Sequence, residues 1–296
     1  MGVALCKRFG GEVVSVDSMQ IYRGMTIGTA APTPEEMDGV PHHMIAVADP
    51  KESWSVAKYV ERADACVQSI LARGKLPVLV GGTGLWLDAL VRGNEFAPGS
   101  QGEKARLMLQ KRLDSEGVAV LLEELRQIDP EAAAKLHLKD EKRILRALEV
   151  YAQTGETITA HNAKTREKPS RYEALYIGLD FVDRQALRDR IDKRVDAMVQ
   201  QGLLQEVREL LASGLPRDAT ALQAIGYKQF LGVSEGLLTE KEAVEEVKLR
   251  SRQYAKRQLT WLRRNPDIHW IYWEKEPDFS AGLQNATEYL TARGLR

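Results

Sequence analysis

The spacing of apolar residues along the chain predicts short buried strands that alternate with amphipathic helices. Mostly apolar runs of about five residues have the length of strands and are too short for helices. The predicted strands are Glu12–Asp17, His43–Val47, Leu76–Val80, Leu175–Leu179 and Ile268–Trp273. The amphipathic segments predicted as helices are Met1–Phe9, Ser55–Gly74, Asp183–Ala212 and Thr239–Arg264. This alternation is typical of βαβ units, so we expect an α/β protein with a parallel sheet flanked by helices.

The pattern changes between about Pro98 and Arg171, where only helices can be recognised. The polar stretch Ala160–Ser170 is interpreted as a linker. We therefore predict a catalytic α/β core made of residues 1–98 and 173–296, and an all-helical insertion domain at residues 99–172. The helices predicted in the insertion are Glu103–Ser115, Val118–Gln127, one that begins at Asp129-Pro130, and Glu141–Ala152.

Composition excludes some protein classes and leaves others open. The 296 residues contain 42 Lys and Arg and 42 Asp and Glu, so net charge neither indicates nor excludes a nucleic-acid partner. No apolar run approaches the ~20 residues of a membrane-spanning helix, and no secretory signal pattern opens the chain. The two cysteines, Cys6 and Cys66, are isolated and form no metal or disulfide pattern. We expect a cytoplasmic protein with no membrane partner.

Two predicted strands end in residues that could bind or transform a ligand. Asp17 closes the first strand, and Gly81-Gly82-Thr83 follows the strand Leu76–Val80. In parallel sheets, ligands bind at the carboxyl ends of the strands. Asp17 could act as a general base, hold a metal or cap the next turn, and spacing alone favours capping. The two glycines would let a ligand approach the backbone, and the threonine hydroxyl would bond a phosphate or cap the next helix.

Basic residues cluster in one stretch that no acid interrupts. Arg250, Arg257 and Arg264 recur every seven residues, which places them on one face of a helix. Either the helix exposes these charges to solvent, or a polyanionic partner offsets their mutual repulsion, and we favour the second interpretation. The seven members are Lys248, Arg250, Arg252, Lys256, Arg257, Arg263 and Arg264.

A separate pair of arginines lies one helical turn apart. Arg190 and Arg194 are i, i+4 neighbours and could clamp an anion such as a diphosphate. Asp189 and Asp192 are close in sequence, and ion pairing with them is the favoured interpretation.

Two further groups are weaker candidates. His42 and His43 lack a third ligand at a suitable spacing, so they are interpreted as structural and no metal site is predicted from side chains. Asp140 and Glu141 dilute a basic group in the insertion, which makes it weak by itself. This group comprises Lys135, His137, Lys139, Lys142, Arg143 and Arg146.

Several stretches resemble, in the same order, the motifs of tRNA dimethylallyltransferases. The clearest is Asp17-Ser18-Met19-Gln20-Ile21-Tyr22-Arg23-Gly24-Met25, which continues through Ile27-Gly28-Thr29-Ala30. The others are Pro41–His43, Val80–Trp86, Asp129-Pro130, Lys142–Glu149, Ala224–Gln229 and Ala255–Trp261. Together they span nearly the whole chain, so the resemblance is specific.

The resemblance implies a fold and a reaction. The family has a parallel sheet similar to that of P-loop NTPases, with a helical insertion. Its members transfer a dimethylallyl group from its diphosphate to N6 of the adenine 3′ of the anticodon (position 37), after the adenine is flipped out. The implied partners are the tRNA anticodon stem-loop and dimethylallyl diphosphate, and the implied cofactor is Mg²⁺ on the diphosphate. We expect a monomer.

The resemblance also implies roles for individual residues. Asp17 matches the general base that draws a proton from N6, and Thr83 matches a residue near the reacting groups. Arg190 and Arg194 are the candidates for diphosphate binding that remain in this chain. Residues that match or are proposed as tRNA contacts are Asp17, Ser18, Met19, Gln20, Arg106, Lys142, Arg143, Ile144, Leu145, Arg146, Arg250 and Arg257.

The sequence departs from the family pattern at its start. Family members begin with a strand and a Gly-x-Thr-x-x-Gly-Lys-[Ser/Thr] loop that cradles the diphosphate. Gly2-Val3-Ala4-Leu5 resembles the helix that follows this loop, so the first strand and the phosphate loop are missing. Either the gene start is misassigned or donor binding has been lost. In both cases we expect this 296-residue chain to express poorly and to transfer no prenyl group.

Three other functions stay open at this point. A prenyltransferase for free adenine nucleotides would share the chemistry, but the insertion and the basic stretch favour a polymeric substrate. A non-catalytic tRNA-binding remnant would bind tRNA in a salt-dependent manner and would bind no diphosphate. A P-loop kinase is disfavoured because the loop is absent.

Overall fold

The computed structural model describes residues 1–94, Phe96 and residues 103–296. The chain divides into two compact units, one formed by Met1–Val91 with Glu173–Arg296 and the other by Arg92–Tyr172. The second unit therefore ends where the predicted insertion ends. The other predicted boundary, between residues 98 and 99, lies outside the described residues.

Strands occur only in the first unit within the described residues. They are β1 (Gly11–Val16), β2 (His42–His43), β3 (Leu76–Gly81), β4 (Tyr176–Phe181) and β5 (Ile268–Trp273). A 3₁₀ turn covers Thr220–Gln223. The helices are α1 (Gly2–Phe9), α2 (Pro34–Met37), α3 (Val56–Ala72), α4 (Gly84–Arg92), α5 (Glu103–Glu116), α6 (Val118–Ile128), α7 (Pro130–Ala133), α8 (Glu141–Thr154), α9 (Ile158–Glu167), α10 (Arg184–Gln200), α11 (Leu203–Ala212), α12 (Tyr227–Ser234), α13 (Glu240–Leu262) and α14 (Phe279–Ala292).

The strands form two parallel sheets, where the sequence predicted one. In the first sheet β1 lies between β2 and β3, and Val13 pairs with both His42 and Val78. In the second sheet β4 pairs with β5, with Gly178 opposite Trp270. All the described strand pairs are parallel and helices flank them, which confirms the predicted α/β class.

The central strand β1 is anchored by an aromatic pair at its back. Tyr59 of α3 stacks on Trp86 of α4 with ring centroids 4.2 Å apart. The Tyr59 hydroxyl donates to the carbonyl oxygen of Ser15 at 2.8 Å. A stacked pair of this kind contributes about 1 kcal/mol beyond its buried area. The contact fixes the end of β1, two residues before Asp17.

Three predicted elements differ from the structure. The strand predicted at His43–Val47 is reduced to the two residues of β2, because Met44 and Ala46 have left-handed backbones with φ of 62° and 52° that no strand contains. The helix predicted at Asp183–Ala212 is interrupted by Gly202, which has φ of 102° and separates α10 from α11.

The third difference is the predicted linker at Ala160–Ser170, which largely coincides with α9. The side chain of Thr157 caps this helix by accepting from the Ala160 N–H at 3.2 Å. Few of its residues are apolar, so periodicity did not reveal it.

The second unit contains only helices within its described residues. Asp129, 3% exposed, accepts from the Ala132 N–H at 3.0 Å and from the Thr159 hydroxyl at 2.8 Å, and thereby joins α7 to α9. The core between α5, α6 and α8 consists of Leu109, Leu121, Leu122, Leu125, Ala133, Ile144, Ala147 and Leu148.

Candidate active site

Asp17 lies at the carboxyl end of β1, where the chain turns. Its Oδ1 accepts hydrogen bonds from the backbone N–H groups of Met19 at 2.8 Å and Gln20 at 3.2 Å. The capping role that spacing favoured is therefore present. Within the described residues no donor contacts Oδ2 of Asp17. One carboxylate oxygen can thus receive a proton while the other holds the turn.

Thr83 lies at the carboxyl end of β3, on the turn into α4. Its N–H donates to the carbonyl oxygen of Val16 at 3.2 Å, and its Oγ1 accepts from the Ser18 N–H at 3.2 Å. These bonds tie the turn after β1 to the turn after β3. The structure therefore brings Asp17 and Thr83 together at one sheet edge, as parallel topology requires.

The glycines around Thr83 are explained by helix packing. A Cβ at Gly82 would overlap the side-chain amide of Gln258, and a Cβ at Gly84 would overlap the indole of Trp261. Gln258 Nε2 donates to the Gly82 carbonyl at 3.1 Å. The expectation that Gly81 and Gly82 admit a ligand to the backbone is therefore wrong, because α13 fills the space at Gly82 and the backbone of Val16 in β1 fills the space at Gly81.

The helix α13 also brings a polar residue that the sequence analysis did not include in the site. The phenol of Tyr254 lies beside the side chains of Thr83 and Gln258, which act on its pKa. Burial raises the pKa of Tyr254 and the neighbouring Asp17 carboxylate raises it further, so the phenol is protonated at neutral pH. Tyr254, Gln258 and Trp261 recur at i, i+4 and i+7, and polar groups on this inward-facing row were the signal in the sequence.

A cavity of about 630 Å³ lies along α10. Its lining residues are Asp183, Ala186, Asp189, Arg190, Lys193, Arg194, Lys275 and Glu276. The Arg194 side chain faces the open space of this cavity. The protein around the cavity partly desolvates the guanidinium, which lowers its pKa. Asp17 opposes this shift of the Arg194 pKa and Arg190 adds to it. The cavity therefore borders the sheet edge that carries Asp17.

The acids expected to pair with the α10 arginines have other partners. Asp192 accepts from Arg252 of α13 at 2.7 and 2.6 Å. Asp189 accepts at 2.8 Å from a glutamine of its own helix. Within the described residues Arg190 and Arg194 have no ion-pair partner, so the favoured pairing interpretation is wrong. Both cations are left to bind an anion in the cavity.

The basic stretch of α13 is largely neutralised, contrary to the prediction of seven uncompensated charges. The pairs are Lys248–Asp196 at 2.6 Å, Arg250–Glu246 at 2.6 Å, Arg252–Asp192 at 2.6 Å and Arg263–Asp180 at 2.8 Å. The prediction failed because most of these acids lie on α10 and β4. In the part of the chain that the structure describes, Lys256, Arg257 and Arg264 have no acidic partner. Arg257 lies over the Tyr254 ring, 5.6 Å from its centroid.

The segment after Asp17 forms a partly exposed lip beside the site. Ser18 is held through its backbone by Thr83, and Met19 is held through its backbone by Asp17. Gln20 differs from both, because its side-chain amide bonds to three residues of this chain. In the predicted tRNA-lining segment, Ser18 and Met19 are therefore held only through their backbones, whereas Gln20 is also held through its side-chain amide.

In the second unit the predicted basic contacts lie at the surface. Arg106 on α5 and Lys142 and Arg143 on α8 are exposed. Arg146 bonds to Glu149 at 3.0 Å and is partly buried. These positions are compatible with a phosphate contact, most directly for the three exposed side chains.

Ile144 requires a correction to the predicted tRNA contacts. It is 0% exposed and packs in the core of the second unit with Leu121 and Leu125. Leu145 packs against the same core. A contiguous match on an amphipathic helix includes both its faces, so the segment combines surface residues with core residues.

The remaining sequence expectations concern the two histidines, metal ligands and membrane spans. His42 Nδ1 lies 2.8 Å from the Val40 carbonyl, and His43 Nε2 lies 2.8 Å from Glu12, so both histidines have structural contacts. The described residues contain no group of three or more His, Cys, Asp or Glu that could hold a metal. No described helix combines the length and apolar character of a membrane span.

Comparisons with known proteins show which chains this one is similar to. A tRNA dimethylallyltransferase from Caldanaerobacter subterraneus is 42% identical over 294 residues, which cover 99% of this chain and 93% of the relative. A tRNA delta(2)-isopentenylpyrophosphate transferase structure from Staphylococcus epidermidis has 37% identity and a TM-score of 0.71, covering 99% of this chain and 94% of that one. A eukaryotic dimethylallyltransferase acting on tRNA has 29% identity and a TM-score of 0.79, covering 98% of this chain and 73% of that one.

A family model described as IPP transferase matches residues 20–265. This range begins in the turn after β1 and ends beyond α13. It therefore includes Thr83, the cavity arginines Arg190 and Arg194, and the α13 residues Tyr254 and Gln258. The resemblance found in the sequence is confirmed, and the chain belongs to the IPP transferase family.

Proposed function

We propose that this protein transfers a dimethylallyl group from dimethylallyl diphosphate to N6 of the adenine 3′ of the anticodon in tRNA. Family membership supports the reaction class. The observation that carries the assignment is the Asp17 carboxylate, which keeps Oδ2 without a donor beside Thr83, Tyr254 and Arg194.

The proposed reaction is a displacement at the allylic carbon. The N6 nitrogen of adenine attacks C1 of the dimethylallyl group, and the bond between C1 and the diphosphate oxygen breaks. The N6 proton passes to Asp17, and the electron pair of the broken bond leaves on the diphosphate. Oδ2 of Asp17 is the oxygen suited to accept the proton, because Oδ1 holds the turn.

The leaving diphosphate needs positive charge, and α10 supplies it. Arg190, Lys193 and Arg194 line the cavity that borders Asp17. Cations fixed in place before the reaction stabilise the negative charge that develops on the leaving oxygen. We assign diphosphate binding to Arg190 and Arg194, because no described acid neutralises them.

Magnesium would fit this cavity as an ion bound to the diphosphate of dimethylallyl diphosphate. Mg²⁺ commonly binds substrate phosphates with one or two carboxylates and does not need a cage of protein ligands. The described residues provide no such cage, but Asp183 and Asp189 are carboxylates in the cavity lining. The ion would neutralise part of the diphosphate charge.

Binding of tRNA is assigned to surfaces in each unit. In the first unit the side chains of Ser18 and Met19 border the target adenine, and Arg257, with Arg250 in a lesser role, contacts phosphates. In the second unit the phosphate contacts are Arg106, Lys142, Arg143 and Arg146. Arg250 has the lesser role because Glu246 already neutralises it.

The decisive experiment is transfer by an Asp17→Asn variant. Asparagine keeps the acceptor that caps the turn but cannot take a proton, so the single-turnover rate should fall about 100-fold or more. The tRNA dissociation constant should stay within about twofold. Transfer is assayed with protein expressed from its complete open reading frame, with any residues encoded before Met1 included.

Asp49→Asn is a matched control, because Asp49 Oδ1 also accepts from the N–H two residues later, at 2.9 Å. This variant should transfer at the wild-type rate. Equal rates for Asp17→Asn and wild type would remove Asp17 from the chemistry. Wild-type protein that binds tRNA but transfers nothing would identify the non-catalytic tRNA-binding alternative instead.

We further infer that the protein acts as a monomer in the cytoplasm. Cys6 is buried, which raises its pKa to about 11, and no disulfide joins it to Cys66. Two unpaired thiols in the described residues are typical of a reducing compartment. Sedimentation of the purified protein measures the oligomeric state directly.

A further inference from the structure

Gln20 makes more bonds within the chain than a side chain that recognises a nucleotide would make. Its Nε2 donates to the Thr29 carbonyl at 3.3 Å and to the Ala30 carbonyl at 3.2 Å. Its Oε1 accepts from the Ser15 hydroxyl at 3.0 Å. A primary amide has two donor hydrogens and one carbonyl oxygen. Both donors are used, so the amide has little capacity left for a ligand.

The backbone of Gln20 is held as firmly as its side chain. Its N–H donates to Asp17 Oδ1 at 3.2 Å, and its carbonyl oxygen accepts from the Ala46 N–H at 2.9 Å. Gln20 therefore connects β1, the Asp17 turn and two loops. Any displacement of Gln20 would be transmitted to the Asp17 carboxylate through the bond to Oδ1.

Two of the residues bonded to Gln20 have strained backbones. Ala30 has φ of 46° and Ala46 has φ of 52°, both in the left-handed region that disfavours residues with a Cβ. Such conformations persist where surrounding bonds over-determine them, and they concentrate at functional sites. The Gln20 amide and carbonyl provide two of these bonds, so the strained loops are fixed around Gln20.

The loop that contains Ala30 is fixed at its other end by a buried carboxylate. Glu206 of α11 accepts from the N–H groups of Thr26 and Ile27 at 2.9 Å each and of Gly28 at 3.2 Å. The Tyr227 hydroxyl donates to the same carboxylate at 2.5 Å. Within the described residues Glu206 has no cationic partner, so these donors replace its water shell. The loop is thereby locked to α11 and α12.

We propose that Gln20 is a positioning residue, which links the Glu206-held loop to the Asp17 turn and fixes the carboxylate for proton transfer. On this proposal its side chain does not recognise tRNA. The inference rests on the proposed function, since it assigns the orientation of Asp17 in that reaction. Asp17 touches the reacting atoms, whereas Gln20 acts through it.

The test compares Gln20→Met with wild type in single-turnover transfer and in tRNA binding. Methionine has a similar volume but forms none of the three amide bonds. The transfer rate should fall about 10- to 100-fold, since small displacements of a catalytic group cost this much. The tRNA dissociation constant should stay within about twofold. Gln284→Met, which removes an exposed amide on α14 bonded only to Glu288, is the matched control and should equal wild type.

A double-variant cycle separates positioning from general loosening of the structure. Glu206→Gln keeps the shape of the side chain but presents an amide nitrogen to the backbone N–H donors, so it releases the loop. If this variant does not fold, Tyr227→Phe replaces it in the cycle. When both changes act through one linked loop, the double variant is little slower than the slower single variant. Multiplicative losses would overturn the proposal.

Two other outcomes are informative. A Gln20→Met variant that transfers at the wild-type rate from bound tRNA but binds tRNA about tenfold more weakly would show that Gln20 recognises tRNA, and would overturn the proposal. Wild-type protein that transfers nothing would instead overturn the proposed function, and the positioning role would fall with it.

Discussion

The helices α10 and α13 show how misleading a charge count along one helix can be. By sequence, α13 and the two arginines that follow it carry seven basic residues without an intervening acid, while the arginines of α10 have aspartates close by. In the structure the aspartates of α10 bind cations of α13, through Asp192–Arg252 and Asp196–Lys248. The helix that looked cationic is largely neutralised, and the helix that looked neutral keeps two arginines that form no ion pair with any acid the structure describes.

The comparison teaches that counter-charge must be assigned across packed helices. An acid one or two positions from an arginine on the same helix points away from it, so sequence proximity does not make an ion pair. On α10, Asp192 and Asp196 face α13, whereas Arg190 and Arg194 line the cavity together with Asp189. The proposed anion site therefore depends on Arg252 of α13 engaging Asp192 and on Gln185 engaging Asp189.

The largest expected effect tests the cavity arginines directly. Arg194→Ala removes a cation fixed beside Asp17, so single-turnover transfer should fall about 100-fold or more. Inhibition by inorganic diphosphate should weaken in parallel. Arg188→Ala is the matched control, since Arg188 is exposed on the same helix and does not line the cavity. Equal losses in both variants would show that α10 contributes only general positive charge.

The next largest effect concerns Glu12, a buried acid at the opposite end of β1 whose charge is offset by side chains from other elements. Glu12 is 3% exposed and is bonded by Lys75, His43 and Arg73, which lower its pKa from 4.5 to about 2. The folded pKa lies below the unfolded value, so ionised Glu12 stabilises the fold fully above about pH 4.5, and this stabilisation is lost as the pH falls towards 2.

Glu12→Gln should therefore lower the free energy of unfolding at pH 7 by about 2 kcal/mol, because it leaves Arg73 and Lys75 beside a neutral amide. The half-exposed cations keep this figure below that of a fully buried pair. Denaturant titrations at pH 7 and near pH 2 measure the free energy of unfolding of both proteins. The difference between the variant and wild type should be smaller near pH 2. A difference in unfolding free energy that is the same at both pH values would contradict this role of Glu12. So would an equal loss of stability in the exposed Glu61→Gln variant.

Much of this site could be predicted from local signals, and the rest depended on tertiary packing. Apolar runs located β1 and β3, and parallel topology then placed Asp17 with Thr83. The helix α14 was missed although Asp278 caps it, because few of its positions are buried. Tyr254 and Gln258 share an inward-facing row of α13 with Trp261, but they were missed because only tertiary packing brings this row against the turn after β3.

Sequence resemblance supplied the family but not the burial of each matched residue. Ile144 lies in a motif shared with tRNA-binding segments, yet it belongs to the core. Gln20 lies in another, yet its amide is used within the chain. A motif match is one-dimensional, whereas exposure follows the helical period and the loop contacts, so roles must be assigned residue by residue.

The smallest expected effect sharpens the comparison within α13 itself. Arg257 has no acidic partner in the described residues, whereas Arg250 is paired with Glu246 at 2.6 Å. Arg257→Ala should weaken tRNA binding about threefold and reduce the slope of log affinity against log salt by about one, since one counterion release is lost. Arg250→Ala should change both quantities less than Arg257→Ala does, because Glu246 already offsets its charge. Equal effects of the two variants in binding titrations over a range of salt would mean that tRNA displaces Glu246, and that helix neutralisation is not a guide to the binding surface.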